Sequence, residues 1–360
     1  MTASLDDLLK KMVEVGASDL HLKVGSPPVF RIDGDLHPTS LPDLLPEDTD
    51  AYAQSVLTKR AAEDFRETHE ADFAYGRPEL GRFRVNAYRQ RGSVSVVFRM
   101  VTSGGQGFEE LGLPPILAKL AEEPRGLVLI TGPTGSGKTT TLAALIHHIN
   151  TTSRRNIVTI EDPIEVVHRD NMSIISQREV GMDTASFHEA LRRVLRQDPD
   201  VILIGEMRDS ETVRASLYAA ETGHLVLSSL HTIDATETLN RIIDFFPPYQ
   251  QQQVRYLVAG SLRGVVSQRL LERADGNGRV PAVEVMTMNG RVFDRIVDPS
   301  QTSSLPEIMG ESDFYGMRTF DQSILELFSG GVIDLQEALA HASNPHDLRV
   351  RAEQKGLISV

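Results

Sequence analysis

Residues 127–139 read Leu-Val-Leu-Ile-Thr-Gly-Pro-Thr-Gly-Ser-Gly-Lys-Thr. Four apolar β-formers run into Gly132-x-x-x-x-Gly137-Lys138-Thr139, and a helix-compatible run from Thr140 to Asn150 follows. Strand, phosphate loop and helix in that order are the signature of a P-loop nucleoside triphosphatase. Glycines let the backbone curl until successive N–H groups face an anion, and the helix adds the positive end of its dipole. The expected cradle for ATP is therefore Gly132, Pro133, Thr134, Gly135, Ser136, Gly137, Lys138, Thr139 and Thr140. Lys138 would reach the β- and γ-phosphates, and the Thr139 hydroxyl would ligate Mg²⁺.

From Phe108 onward, strands alternate with helices, the pattern of a parallel sheet with crossover helices. Strands are expected at 126–130, 156–160, 201–204 and 225–230. The second, expected beside the P-loop strand, ends in Glu161-Asp162-Pro163-Ile164-Glu165. Acids outside the carboxyl end of such a strand can hold water on Mg²⁺ or orient the attacking water, and Glu161 lies nearest the strand. The third, Val201-Ile-Leu-Ile204, leads through Gly205 to Glu206, 68 residues after Lys138. An apolar strand ending in an acid reads as Walker B, with Glu206 the candidate for activating water. Metal contact is assigned to Thr139, Glu161 and Glu206, the acids acting through bridging waters. Histidines bracket the fourth strand: His231 falls at its carboxyl end, on the nucleotide side, and His224 at the opposite end.

The first hundred residues form a different pattern. Leu5, Leu8, Leu9 and Met12 mark a short amphipathic helix; 20–24 and 29–32 read as strands, with Asp33-Gly34 a hairpin turn. One helix is expected over Pro46–Phe65. Antiparallel strands follow at 71–75, 81–88 and 93–100. The domain reading is 1–101, a flexible linker at 102–107 (Thr-Ser-Gly-Gly-Gln-Gly), and 108–360. Arg82 and Arg84 share one strand face, because strand side chains repeat every two residues. Arginines of this small domain, including Arg89, Arg91 and Arg99, could protect a sheet edge, form a nucleic-acid patch, or reach a nucleotide held on another domain or subunit.

With 360 residues, 40% hydrophobic and 24% charged, two domains with real cores are expected. No cysteine is present, which excludes disulfides and thiol catalysis and fits the cytoplasm. The net charge of −13 argues against nucleic acid as a partner. No apolar run is long enough to span a membrane, and the N-terminal residues lack a signal-peptide pattern.

GPTGSGKTTT, TIEDPIE, ILIGEMRD-x-ET and GHLVLSSLHT occur in this order. Together they resemble the Walker A, Asp box, Walker B and His box of the type II/IV secretion ATPase superfamily. ASDLHLKVGSPPVFRIDGDL, RFRVNAY and the tail YGMRTFDQSILELFSGGVIDLQEALAHASNP resemble its PilT branch, the type IV pilus retraction ATPases. The resemblance implies a PAS-like N-terminal α/β domain, a RecA-like P-loop core with C-terminal helices, and a homohexameric ring. It also implies a PilC-like platform protein as partner, met at the inner face of the cytoplasmic membrane. Catalytic roles fall by resemblance on Glu161, Glu206, His224, His231, Arg84 and Arg99. A four-cysteine zinc motif, typical of the extension branch, is missing. The AIRNLIRE-type motif of retraction motors is also unmatched; its place reads Asn289-Gly-Arg-Val-Phe-Asp-Arg-Ile-Val-Asp298. A PilU-like accessory motor, or the ATPase of another secretion system, is the alternative within the family. Outside it stand a nucleotide-gated assembly module with weak hydrolysis and, against the charge, a DNA motor.

Overall fold

The computed structural model describes residues 3–358. They divide into two units, one running through Ser103 and taking in Glu165–Val167, the other made of the remainder.

The first unit contains α1 (Leu5–Glu14), β1 (Asp19–Lys23), β2 (Val29–Ile32), β3 (Asp35–Pro38), α2 (Pro46–Val56), α3 (Lys59–Thr68), β4 (Glu70–Arg77), β5 (Gly81–Gln90), β6 (Ser93–Met100) and β7 (Thr102–Ser103). Six strands form an antiparallel sheet in the order β3-β2-β1-β6-β5-β4. Alternation decides its faces. Phe83, Val85 and Ala87 of β5 and Val94, Val96 and Phe98 of β6 are buried with Leu5, Leu8, Leu9 and Met12 of α1. Asn86 and Arg84 point the other way. Residues 46–65 are not one helix: Thr58 accepts a hydrogen bond from Ala61 N at 3.2 Å and starts α3 afresh. A threonine that can cap a helix competes with continuing one. Thr102–Ser103 are not free linker either, since they pair in parallel with β10 (Val166–Val167).

The second unit contains α4 (Ile116–Glu122), β8 (Gly126–Thr131), α5 (Lys138–Thr152), β9 (Asn156–Glu161), β11 (Ile174–Glu179), α6 (Phe187–Val194), β12 (Val201–Ile204), α7 (Ser210–Glu221) and β13 (Leu225–Leu230). It continues through α8 (Ala235–Asp244), α9 (Pro248–Ser261), β14 (Leu262–Glu272), β15 (Arg279–Thr287), α10 (Gly290–Val297), α11 (Leu305–Gly310), α12 (Phe320–Ser329), α13 (Leu335–His341) and α14 (Pro345–Gln354). Seven strands run β11-β9-β12-β13-β8-β14-β15, all parallel except β15. Helices cover both faces: Leu127, Leu129, Ile202 and Ile204 pack into one core, Val128, Ile130, Val201 and Leu203 into the other. Burial on both sides is why these strands read as continuous apolar runs. β9 does not adjoin the P-loop strand as expected; β12 and β13 lie between them.

Two titratable groups, the buried Glu284 and the half-buried His168, give this unit opposing pH responses. Burial pushes the Glu284 carboxyl up to about 7, although Ala235 N donates to it at 2.9 Å. Burial, then the nearby His147 charge, pulls His168 down to about 4. Between the ordinary carboxyl value and 7 the folded chain holds Glu284's proton and the unfolded chain does not, so stability falls as pH rises. Between 4 and the ordinary imidazole value the unfolded chain holds the His168 proton, so stability rises. Each shift is worth about 3 kcal/mol, and they nearly offset. Glu284→Gln is expected to unmask the rise and His168→Gln the fall, read by urea denaturation at pH 5 and 7. Parallel profiles for the two variants would contradict this.

Candidate functional site

The carboxyl ends of β8, β9, β12 and β13 gather the core's candidate residues, as open α/β sheets favour. Gly132 has φ +144°, and a Cβ there would meet Gln268 O and Ser136 Oγ, each at 2.5 Å. Gly137 (φ 92°) turns the chain into α5, a 15-residue helix beginning at Lys138. Lys138, 8% exposed, donates to Gly132 O at 2.8 Å and Pro133 O at 2.9 Å. Pro133, Thr134, Gly135, Thr139 and Thr140 are exposed.

Two observations fit this loop to a triphosphate. Ser136 Oγ is buried without a protein partner, and an unfilled buried hydroxyl inside a turned-in backbone calls for a polar guest. The cradle at Gly132 also tolerates no side chain. For Mg²⁺ the residue that would ligate it directly is Thr139, with Glu161 and Glu206 acting through water. Among the described residues no cluster of three His, Cys, Asp or Glu can hold a metal alone. A metal here would depend on Thr139, phosphate oxygens and water, the usual arrangement for this ion.

Glu206 and His231 meet, as their strand ends predict. His231 Nε2 lies 3.4 Å from Glu206 Oε1, and Arg208 Nε donates to Glu206 Oε2 at 2.8 Å. Lys138 Nζ is 3.5 Å from His231 Nδ1. An ammonium can only donate, so Nδ1 accepts and Nε2 carries the ring proton toward Glu206. The histidine thus links the Walker A lysine to the Walker B glutamate. A cavity of about 310 Å³ opens beside them, lined in part by Glu206, Arg208, His231 and Arg241.

Glu161 is held on the strand next to Glu206's. Thr159 Oγ1 and Gln177 Nε2 donate to its Oε1 at 2.6 and 3.1 Å. Gly205 lies against Glu161: a Cβ there would make an ordinary van der Waals contact with Glu161 Cα at 3.5 Å. The following Asp162–Pro163 peptide is cis. His224 is placed apart from this group, at the start of β13, its Nδ1 3.0 Å from Ala219 O near the end of α7.

Arg84 and Arg99 belong to the first unit. They are direct cross-strand partners on β5 and β6 and both are exposed. Like charges directly opposite one another repel. Arg99 Nε is 2.8 Å from Asp19 Oδ1, and Arg84 Nε 3.8 Å from Asp72 Oδ1. Against a burial penalty, Ser18 and Arg99 hold the Asp19 carboxyl below its usual range. Arg31, opposite Asp19 on β2, extends the row. Arg31, Arg84 and Arg99 set against Asp19 and Asp72 leave one net positive charge along this strip.

The sequence reading missed Gln268, Gln177 and Arg208. Gln268 lies on β14, whose β-branched run was the available signal; the other two become meaningful only once strand neighbours are known.

The profile of the family described as "Type II/IV secretion system protein" matches residues 1–329. The type IV pilus retraction ATPase PilT of Pseudomonas aeruginosa is 41% identical over 343 residues, covering 95% of this chain and 99% of that one. The type IV pilus ATPase PilU of the same organism is 42% identical, covering 96% and 90%. The crystal structure of the pilus retraction motor PilT with bound ADP superposes with a TM-score of 0.89 at 43% identity, covering 97% of this chain and 99% of that one. That likeness carries both units: the sheet of the first corresponds to the N-terminal domain, and the seven-stranded core to the RecA-like ATPase. The chain belongs to the type II/IV secretion system protein family, as a PilT-like ATP-hydrolysing motor ATPase.

Proposed function

We propose that this protein powers retraction of a type IV pilus, working as a Mg²⁺-dependent homohexameric ring. The observation that carries the reading is the Lys138–His231–Glu206 chain at the P-loop, within a protein so close to PilT along its whole length. In the reaction, water attacks the γ-phosphorus, its proton passes to Glu206, and the bond to the β-phosphate oxygen breaks. Bound Mg²⁺ would neutralise phosphate charge. Glu161 assists in placing the water, and His231 keeps Glu206 oriented. Arg84 and Arg99 neutralise the γ-phosphate from the first unit; loss of that phosphate frees the arginines, and the units turn about 104–107. Around a ring this becomes mechanical work on a PilC-like platform protein at the inner face of the cytoplasmic membrane. No helix among the described residues is long and apolar enough to cross a membrane.

The similarly close PilU keeps an accessory role as the second reading. Deletion of the gene in its host separates them. Retraction predicts excess pili without twitching, an accessory motor predicts twitching that persists under low load, and bald cells would overturn both.

A further inference from the structure

We propose that Gln177 is a positioning residue for ATP hydrolysis, acting through Glu161. The inference rests on the reading of Glu161 as part of the catalytic set.

Gln177 sits on β11, the edge strand, directly opposite Thr159 of β9 in parallel register. Its amide can be oriented without ambiguity. His168 N is a backbone donor and lies 2.8 Å from Gln177 Oε1, so that atom must be the oxygen. The other arm is therefore the NH₂ group, and it donates to Glu161 Oε1 at 3.1 Å. Thr159 also donates to Oε1, but a hydroxyl can rotate to other partners. A carboxamide locked at its far end cannot, so Gln177 sets the direction of Glu161.

The mount is itself fixed. Asn150, near the end of α5, accepts from Asn171 N at 3.0 Å and Ser173 N at 3.3 Å, and donates to Arg169 O at 2.8 Å. The loop entering β11 is thereby tied to the helix that begins at the P-loop. Asp183 Oδ2 accepts from Glu179 N at 2.8 Å at the strand's far end. An edge strand secured at both ends is a rigid platform for a residue that must hold another to a fraction of an ångström.

The test compares wild type, Gln177→Glu, Glu161→Gln and the double variant. Gln177→Glu keeps an oxygen for His168 N while setting a carboxylate against Glu161. The double variant restores the bond with donor and acceptor exchanged. The readouts are kcat with saturating Mg²⁺-ATP, affinity for a fluorescent ATP analogue, and Tm. Gln177→Glu is expected to lower kcat by about 10- to 100-fold, leaving nucleotide affinity within about twofold. The double variant should recover Tm yet turn over no more slowly than Glu161→Gln alone, because both lesions strike one function. Multiplied losses in the double variant, wild-type kcat in Gln177→Glu, or a fall in nucleotide affinity as large as that in kcat would each overturn the inference while sparing Glu161. Wild-type turnover in Glu161→Gln would remove Glu161 from catalysis and this inference with it.

Discussion

Gly132→Ala is expected to weaken nucleotide binding on the order of 100-fold while leaving most of the fold standing. The new methyl group would lie 2.5 Å from Gln268 O and Ser136 Oγ. Ser136 could rotate away. Gln268 O cannot, because β14 is locked in register with β8, Ser267 opposite Thr131. The φ of +144° is a second obstacle, costing about 1–3 kcal/mol for a residue with a side chain. The loop must therefore move, and with it the N–H groups that face the phosphates. Loss of about 3 kcal/mol of phosphate contact weakens affinity on the order of 100-fold. Titration with a fluorescent ATP analogue checks this; wild-type affinity would show that the loop tolerates displacement and that its shape does not set binding.

Glu206→Gln is expected to separate binding from turnover. The substitution keeps length and shape, and an amide oxygen can still accept from Arg208 or His231. What disappears is the carboxylate that takes the water's proton, and general-base catalysis contributes about 10²–10⁴ in rate. ATP should bind with near wild-type affinity and persist on the protein. Phosphate release should fall by that factor. A Glu206→Gln protein that turns over as fast as wild type would favour a nucleotide-gated assembly module over a motor.

The candidate nucleotide site was legible in the sequence because each of its parts is local. Gly132 to Thr139 announce themselves by spacing, and Glu206 and His231 by lying just past apolar strands. Neighbour relations were not legible. Periodicity tells that 156–160 is a strand but not that β12 and β13 separate it from the P-loop strand, because strand order is settled by long-range packing. For the same reason Gln177 read as an ordinary polar residue, and only its register opposite Thr159 gives it Glu161 as a partner. The break at Thr58 was a local choice between capping and continuing, which apolar spacing does not decide. Arg84 and Arg99 could be placed on strands from sequence, but their direct pairing across β5 and β6 required the register.

That pairing bears on the central proposal, that Arg84 and Arg99 act on the nucleotide held at the P-loop. Steady-state ATP hydrolysis by Arg84→Ala and Arg99→Ala, measured alongside nucleotide affinity and oligomeric state, tests it most directly. The account predicts that each variant binds nucleotide and assembles like wild type, with turnover lower by about 10³-fold, as when a catalytic arginine is withdrawn. Full turnover in both variants would contradict it.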